Sequence, residues 1–212
     1  MVFLRKFLLL AFITATLQTC TLFKKGISKP VVIAMPDRSV PLKISSTAFN
    51  AKYTVNLSES AVIENFLKGF DSEAKITKNV TIVTDEANAD YILRITSLEV
   101  VESSKIEKIS DEKSPYNGQE MVLNTIDVNV DVEIINAKDK TKKLSNCYNS
   151  KSRSEKMKNN RDAGDLVMGT NKDRTNYRTK LLNDDICTNL SEDLGRRIWV
   201  PITRRIAKAQ KK

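Results

Sequence analysis

The clearest pattern in the chain is an alternation of apolar and polar residues between positions 126 and 134. The residues between the apolar positions are acidic or carry an amide. Successive side chains of a β-strand point to opposite faces of a sheet, so this pattern predicts a strand with one buried and one solvated face. One-sided strands are typical of antiparallel sheets. The buried face is expected to consist of Ile126, Val128, Val130, Val132 and Ile134.

A second strand is predicted to pair with the first in a hairpin. A turn at 137–139 leads into residues 141–148. Pairing Val132 with Leu144 places Glu133 opposite Lys143, which is a favourable cross-strand ion pair. The same pairing places Cys147 on the polar face of the sheet.

Three further strands are predicted upstream. Residues 31–35 and 80–83 are short β-rich runs, and 90–102 is a longer apolar run. The alternation of this third run slips near Ser97 and Leu98, which predicts a β-bulge. The polar segment 103–124 is interpreted as a flexible connection. The basic segment 151–174 is interpreted as a mobile loop, with an anion-binding segment as the alternative.

A helix is predicted between the first two of these runs. Asn56 can cap it, with Glu59 three residues later in a capping-box arrangement. Gly69 and Asp71 are expected to mark its end. Its apolar stripe, which we expect to pack on the sheet, consists of Val62, Ile63, Phe66, Leu67 and Phe70.

The C-terminal part shows a second helical pattern, with apolar residues four positions apart. Steps of four exceed a full helical turn by about 40°, so the stripe rotates by roughly 240° along the segment. One straight helix cannot bury all of it, and Gly195 and Pro201 are natural points for a break. We therefore expect a helix up to Trp199 and a separate tail beyond it. The stripe consists of Leu182, Ile186, Leu190, Leu194, Ile198, Ile202 and Ile206.

These elements predict an α+β fold: a four- or five-stranded antiparallel or mixed sheet with two helices packed on one face. With 212 residues, one domain of ordinary size is sufficient.

The first twenty residues have the anatomy of an export signal. Arg5 and Lys6 precede an uncharged run that is too short to span a bilayer. The tetrapeptide 17–20, Leu-Gln-Thr-Cys, resembles the bacterial lipobox, which implies that Cys20 carries a diacylglyceride and becomes the mature N-terminus. Thr21 rather than Asp follows Cys20, which favours the outer membrane. The alternative is a soluble exported protein in which Cys20 is incidental.

The predicted organisation is therefore a lipoprotein signal peptide at 1–19, a tether at 20–29, an α+β domain at 30–200 and a basic tail at 201–212.

Composition narrows the chemistry. The net charge is +9, but no aromatic residues interleave the basic segment 151–174, so nucleic acid is not expected as a partner. The chain has no His, which removes the commonest general base and metal ligand. We expect no catalytic residues, no cofactor, no metal site and no enzymatic activity.

Two cysteines remain once Cys20 is acylated, and an exported compartment permits a disulfide between Cys147 and Cys187. The hairpin register described above places Cys147 on the polar face, whereas Cys187 flanks the buried stripe. The sequence leaves this bond open.

The basic end of the chain is the candidate contact surface. Basic residues surround aliphatic ones there, a composition typical of segments at an anionic membrane surface. The alternative is a solvated helix end whose charges complement the helix dipole. The candidate contacts for anionic lipid or a protein partner are Arg196, Arg197, Trp199, Arg204 and Arg205.

The order of elements after a lipobox resembles several families of small envelope lipoproteins, including the lipopolysaccharide-transport, ABC-transporter auxiliary and curli-secretion lipoproteins. Residues 89–94, 126–134 and 182–198 carry this resemblance. It implies a non-catalytic outer-membrane lipoprotein that supports assembly or transport by binding an envelope protein or anionic lipid. The alternatives are a surface-exposed ligand-binding lipoprotein and a hydrolase of an envelope polymer.

Overall fold

The computed structural model describes residues 26–108, 110, 112, 117–118, 120–140, 142–158 and 182–211. The predicted signal peptide and most of the tether, including Cys20, lie outside this range. In chain order the described elements are β1 (Val31–Ala34), β2 (Leu42–Thr47), α1 (Glu59–Ile76), β3 (Val80–Val83), β4 (Tyr91–Lys108), β5 (Glu120–Asn136), β6 (Lys143–Lys158), α2 (Ile186–Arg197) and α3 (Trp199–Ala209).

The strands form one mixed, open sheet in the order β3-β1-β4-β5-β6. Strands β1 and β2 run parallel to β4 and pair with successive parts of the same edge, whereas β4, β5 and β6 are antiparallel. The α+β class is confirmed, but the sheet has six strands rather than four or five. The extra strand is β2. It was not predicted because its only apolar residues, Leu42 and Ile44, are too few to show a clear alternation, and both are only half-buried.

The central pair of strands is much longer than predicted. β4 continues to Lys108 and β5 begins at Glu120, so residues 103–108 and 120–124 of the polar segment are strand rather than a flexible connection. Backbone pairing continues where polar residues predominate, because a ladder needs only the main-chain donors and acceptors, and Met121 and Leu123 add buried apolar side chains there. The predicted bulge is confirmed, since the register shifts between Ile95 and Ser97.

The predicted hairpin forms, but in a different register. Val132 pairs with Cys147 rather than Leu144. A shift of three residues reverses the face of every side chain on β6, so Cys147 points into the core and is 2% exposed. The predicted ion pair still forms, because the Lys143 Nζ reaches the Glu133 Oε1 at 2.7 Å from a diagonal position.

Helix α1 begins two residues later than predicted and ends five residues beyond Asp71. Ser58 is its cap, and the Ser58 hydroxyl accepts a hydrogen bond from the Ala61 amide. Gly69 does not end the helix. It faces α2, where a Cβ atom would lie 2.0 Å from the Glu192 carbonyl oxygen.

The contact between α1 and α2 is reciprocal. A Cβ on Gly195 of α2 would lie 2.1 Å from the carbonyl oxygen of Phe66 on α1. Glycine at both positions therefore lets the two helix backbones touch.

The C-terminal helix breaks at Ile198, between the two residues that were predicted to break it. Pro201 lies in the first turn of α3, where its missing amide costs no helical hydrogen bond. Ile198 at the break and Ile202 and Ile206 beyond it are all fully buried. The prediction of a separate tail at 201–212 is therefore wrong for residues 201–209, which belong to the folded core.

The chain enters the domain beside the end of α3. Gln210 Oε1 accepts hydrogen bonds from the Ser28 amide at 3.0 Å and the Lys29 amide at 3.3 Å, and Gln210 Nε2 donates to the Lys29 carbonyl at 2.9 Å. We call these contacts the Gln210 clamp, and this end of the molecule the entry end. Strand β4 starts near the entry end and has 18 residues. Its last residue, Lys108, therefore lies about 55 Å away, at the opposite end of the sheet, which we call the far end.

Candidate functional site

An open cleft lies at the edge of the sheet, where β6 meets the junction of α2 and α3. Its volume is roughly 340 Å³. We call it the basic cleft, and it is lined by Tyr148, Asn149, Ser150, Lys151, Arg197, Val200, Pro201 and Arg204. Four consecutive residues of β6 form one wall, so the backbone of an edge strand borders the cleft.

The position of the cleft follows from the break in the C-terminal helix. The Asn149 side chain donates to the Arg197 carbonyl at 3.0 Å, at the end of α2. This contact joins the helix end to the strand. Val200, the second residue of α3, is 47% exposed, although its neighbour Trp199 is buried.

The inner part of the cleft is organised by one carboxylate. Asp193 accepts from the Lys151 ammonium at 2.8 Å and contacts the Arg197 Nε at 3.2 Å. Burial raises the pKa of Asp193, but the hydrogen bonds and charges of Lys151 and Arg197 outweigh it and hold this pKa below its usual value. Asp193 therefore keeps these two cations in place.

The outer part of the cleft carries charge that is not neutralised locally. Arg204 is exposed and forms no ion pair or hydrogen bond with any residue that the structure describes. Tyr148 is 58% exposed beside it and donates its hydroxyl to the Asn129 side chain at 3.0 Å. Together they present a guanidinium and an aromatic ring to solvent.

The structure separates the other predicted contact residues from this cleft. Arg205 is exposed on α3 but does not line the cleft. Arg196 is hydrogen-bonded to Glu192, which also accepts from Lys68 at 3.0 Å.

Trp199 is not a surface contact. It is 1% exposed, and its indole donates to the Phe70 carbonyl at 2.8 Å. The ring centroids of Trp199 and Phe70 are 4.8 Å apart. The sequence placed it among basic residues, but in the structure it packs against Phe70 of α1.

Cys147 and Cys187 are both free, buried thiols. Burial raises the pKa of Cys147, and burial together with the nearby charge of Glu102 raises the pKa of Cys187 to about 11. Both thiols are therefore protonated at neutral pH and unreactive in the folded state.

A buried polar cluster that the sequence did not reveal lies toward the far end, on the helix-facing side of the sheet. Glu102 is fully buried and accepts hydrogen bonds from the amides of Lys52, Tyr53 and Thr54 at 2.9 to 3.2 Å. Glu155 is 2% exposed and accepts from the Tyr53 hydroxyl at 2.7 Å.

This cluster supports a structural role. Burial and the hydrogen bond to Glu155 raise the pKa of Tyr53, so its hydroxyl stays protonated and keeps donating. The carboxylates hold the loop before α1 onto the sheet and have protein donors as partners, which does not favour the hydrolase alternative.

The remaining predictions fall partly outside the described residues. Cys20 and residues 159–174 of the basic segment lie there, whereas Lys151 and Arg153 belong to β6. None of the described helices is both long and apolar enough to cross a membrane. Within the described ranges, no three potential metal-ligating side chains lie together.

No family model matches the sequence, and no curated protein matches it. Solved structures with a similar arrangement include a putative neuraminyllactose-binding hemagglutinin homolog from Helicobacter pylori (12% identity, 88% of this chain and 92% of the other, TM-score 0.41). Two others are named as bacterial lipoproteins. They are rare lipoprotein B from Shewanella oneidensis (9% identity, 80% and 98% covered, TM-score 0.32) and a minor lipoprotein from Acinetobacter baumannii (13%, 81% and 96%, 0.30). These scores are low, and the likenesses carry no argument about function.

Proposed function

We propose that this chain is a non-catalytic lipoprotein of the bacterial envelope, held at the outer membrane by a lipid on Cys20. It supports assembly or transport by binding an acidic, extended segment of an envelope protein in the basic cleft. The observation that carries the proposal is the cleft itself, which combines an edge strand with exposed cations.

The edge strand favours an extended partner. In the part of the chain that the structure describes, β6 pairs only with β5, so its outer edge borders the cleft along residues 148–151 without a further strand. The Ser150 amide there donates to the Asn149 side chain at 2.9 Å, a local bond that an added strand would replace. An extended peptide binds such an edge by adding a strand, and neighbouring side chains then select its sequence.

The charges favour an acidic partner. Arg204 has no described counterion, and the cations of Lys151 and Arg197 outnumber Asp193 in the inner cleft. A guanidinium can bind a carboxylate with two parallel hydrogen bonds. The exposed ring of Tyr148 adds apolar area, and tyrosine is enriched at protein interfaces.

The test is photo-crosslinking in intact cells that produce the full-length protein. A photoreactive phenylalanine replaces Tyr148 in the cleft or, as the control, Leu144, which is also partly exposed on β6 but does not line the cleft. We expect a discrete protein adduct from position 148 only, attached through an acidic segment of the partner that mass spectrometry identifies.

Two charge reversals sharpen this test. Arg204→Glu should reduce the adduct about tenfold, because it places a carboxylate against an acidic ligand. Arg205→Glu makes the same change one residue away, outside the cleft, and should leave the adduct nearly unchanged. Equal adducts from positions 148 and 144, or equal loss in both reversals, would contradict the proposal.

A further inference from the structure

We infer that α3 lies against the membrane that holds the lipid on Cys20, and that a row of three exposed cations, two on α3 and one in the turn that follows it, contacts anionic lipid headgroups. We call Arg204, Lys208 and Lys211 the basic row. This inference rests on the proposed function in one respect, the lipid on Cys20. The basic row shares Arg204 with the basic cleft, but its other two members do not line the cleft and its partner is different.

The basic row begins on one face of α3 and ends in the turn after it. Arg204 and Lys208 are four residues apart and are neighbours on the helix surface, and Lys211 lies two residues beyond the helix end at Ala209. All three are exposed, whereas Ile202 and Ile206 on the opposite face are fully buried. None of the three forms an ion pair with a residue that the structure describes.

The tether limits which part of the domain can reach the membrane. Ser28 is the eighth residue after Cys20, and eight steps of fully extended chain span at most about 28 Å. The Gln210 clamp holds Ser28 and Lys29 at the end of α3, next to Lys211. The far end lies about 55 Å from the entry end, so the entry end faces the bilayer.

The charge of the basic row then selects the face that makes contact. Lys208 and Lys211 lie within one turn of Gln210. Arg204 lies about 9 Å from Gln210, toward the start of the helix. Long cationic side chains extend to the headgroups while their aliphatic parts cover apolar surface. Because the tether brings the row to the bilayer, lipid phosphate rather than free phosphate is the expected ligand.

The test measures the distance of two ends of the full-length, acylated protein from a bilayer. Lys208→Cys labels the basic row, and Lys105→Cys is the control because it makes the same change on an exposed residue toward the far end. Cys147 and Cys187 are buried and stay unlabelled. Each variant carries a fluorescent dye and is reconstituted into phosphatidylcholine vesicles with or without phosphatidylglycerol, with energy acceptors on the headgroups.

We expect energy transfer from position 208 to be severalfold more efficient than from position 105 when phosphatidylglycerol is present. The difference should shrink without phosphatidylglycerol and in the Arg204→Glu/Lys211→Glu variant, which removes the other two cations.

Each contrary result has a distinct meaning. If the protein does not float with vesicles, the lipid on Cys20 is absent and both proposals fall. If it floats but both positions transfer equally, the orientation is wrong while the lipoprotein stands. If the difference persists unchanged without phosphatidylglycerol, the tether alone orients the domain and the headgroup contact is overturned.

Discussion

At the scale of single residues, two glycines determine how the helical layer packs. A Cβ on Gly69 would meet the carbonyl of Glu192, and a Cβ on Gly195 would lie 2.1 Å from the Phe66 oxygen and 2.8 Å from the Phe70 nitrogen. These are backbone atoms in helices, so they cannot move aside as the tip of a side chain can. The sequence showed Gly69 only as a stop signal, because the partner backbone that requires it is more than a hundred residues away.

Replacing either glycine by alanine should destabilise the domain. Alanine is ordinarily better than glycine inside a helix by about 1 kcal/mol. Here the added methyl group must push α1 and α2 apart, and overpacking of this kind costs roughly 1–3 kcal/mol. We therefore expect Gly69→Ala and Gly195→Ala each to lower the free energy of unfolding by about 2 kcal/mol, measured by urea denaturation.

The control is Gly26→Ala, where a Cβ would meet no atom within 4 Å and the midpoint should not change. The double variant should lose less than the sum of the two singles, since one separation of the helices relieves both contacts. An unchanged or higher urea midpoint in both single variants would show that the helices do not approach so closely in solution.

At the scale of elements, the sequence predicted best where side-chain burial is periodic. The alternation of Ile126 to Ile134 located the central strand, and the break in the C-terminal stripe was expected from Gly195 and Pro201. The register of β6 was not predictable, because Ser, Asn and Lys occupy both of its faces and only Cys147 marks the buried one. Likewise, the cleft depends on how the junction of α2 and α3 packs beside β6, which no local pattern encodes.

Whether α3 is core or tail can be decided with two aliphatic residues of the same helix. Ile202 is fully buried, while Val200, two residues earlier, is 47% exposed. We expect Ile202→Ala to lower the free energy of unfolding by about 2–5 kcal/mol, as for other large-to-small core substitutions. Val200→Ala should change it by less than about 1 kcal/mol. Thermal or urea unfolding measures both changes. Small effects of equal size would support the predicted separate tail instead of a helix packed in the core.

At the scale of the whole molecule, the two ends of the sheet differ in chemistry. The far end encloses buried carboxylates that hold the loop before α1, whereas the entry end joins the start of the domain to the end of α3. The carboxylates were missed because Glu102 is the last residue of the apolar run 90–102 and Glu155 lies in the basic segment that was interpreted as a loop. Their burial depends on a loop that follows β2, the strand with the weakest signal.

The Gln210 clamp connects the tether to α3, and its strength can be measured directly. Gln210→Leu removes the acceptor for the Ser28 and Lys29 amides, so hydrogen exchange at both should accelerate roughly threefold to tenfold, the range expected for one lost hydrogen bond. The Val31 amide, which donates to the Asn79 carbonyl at 3.0 Å, should keep its rate and serves as the internal control. Unchanged exchange at Ser28 and Lys29 would mean that the clamp does not hold in solution. The tether would then not be fixed beside α3, and the domain could turn α3 away from the membrane.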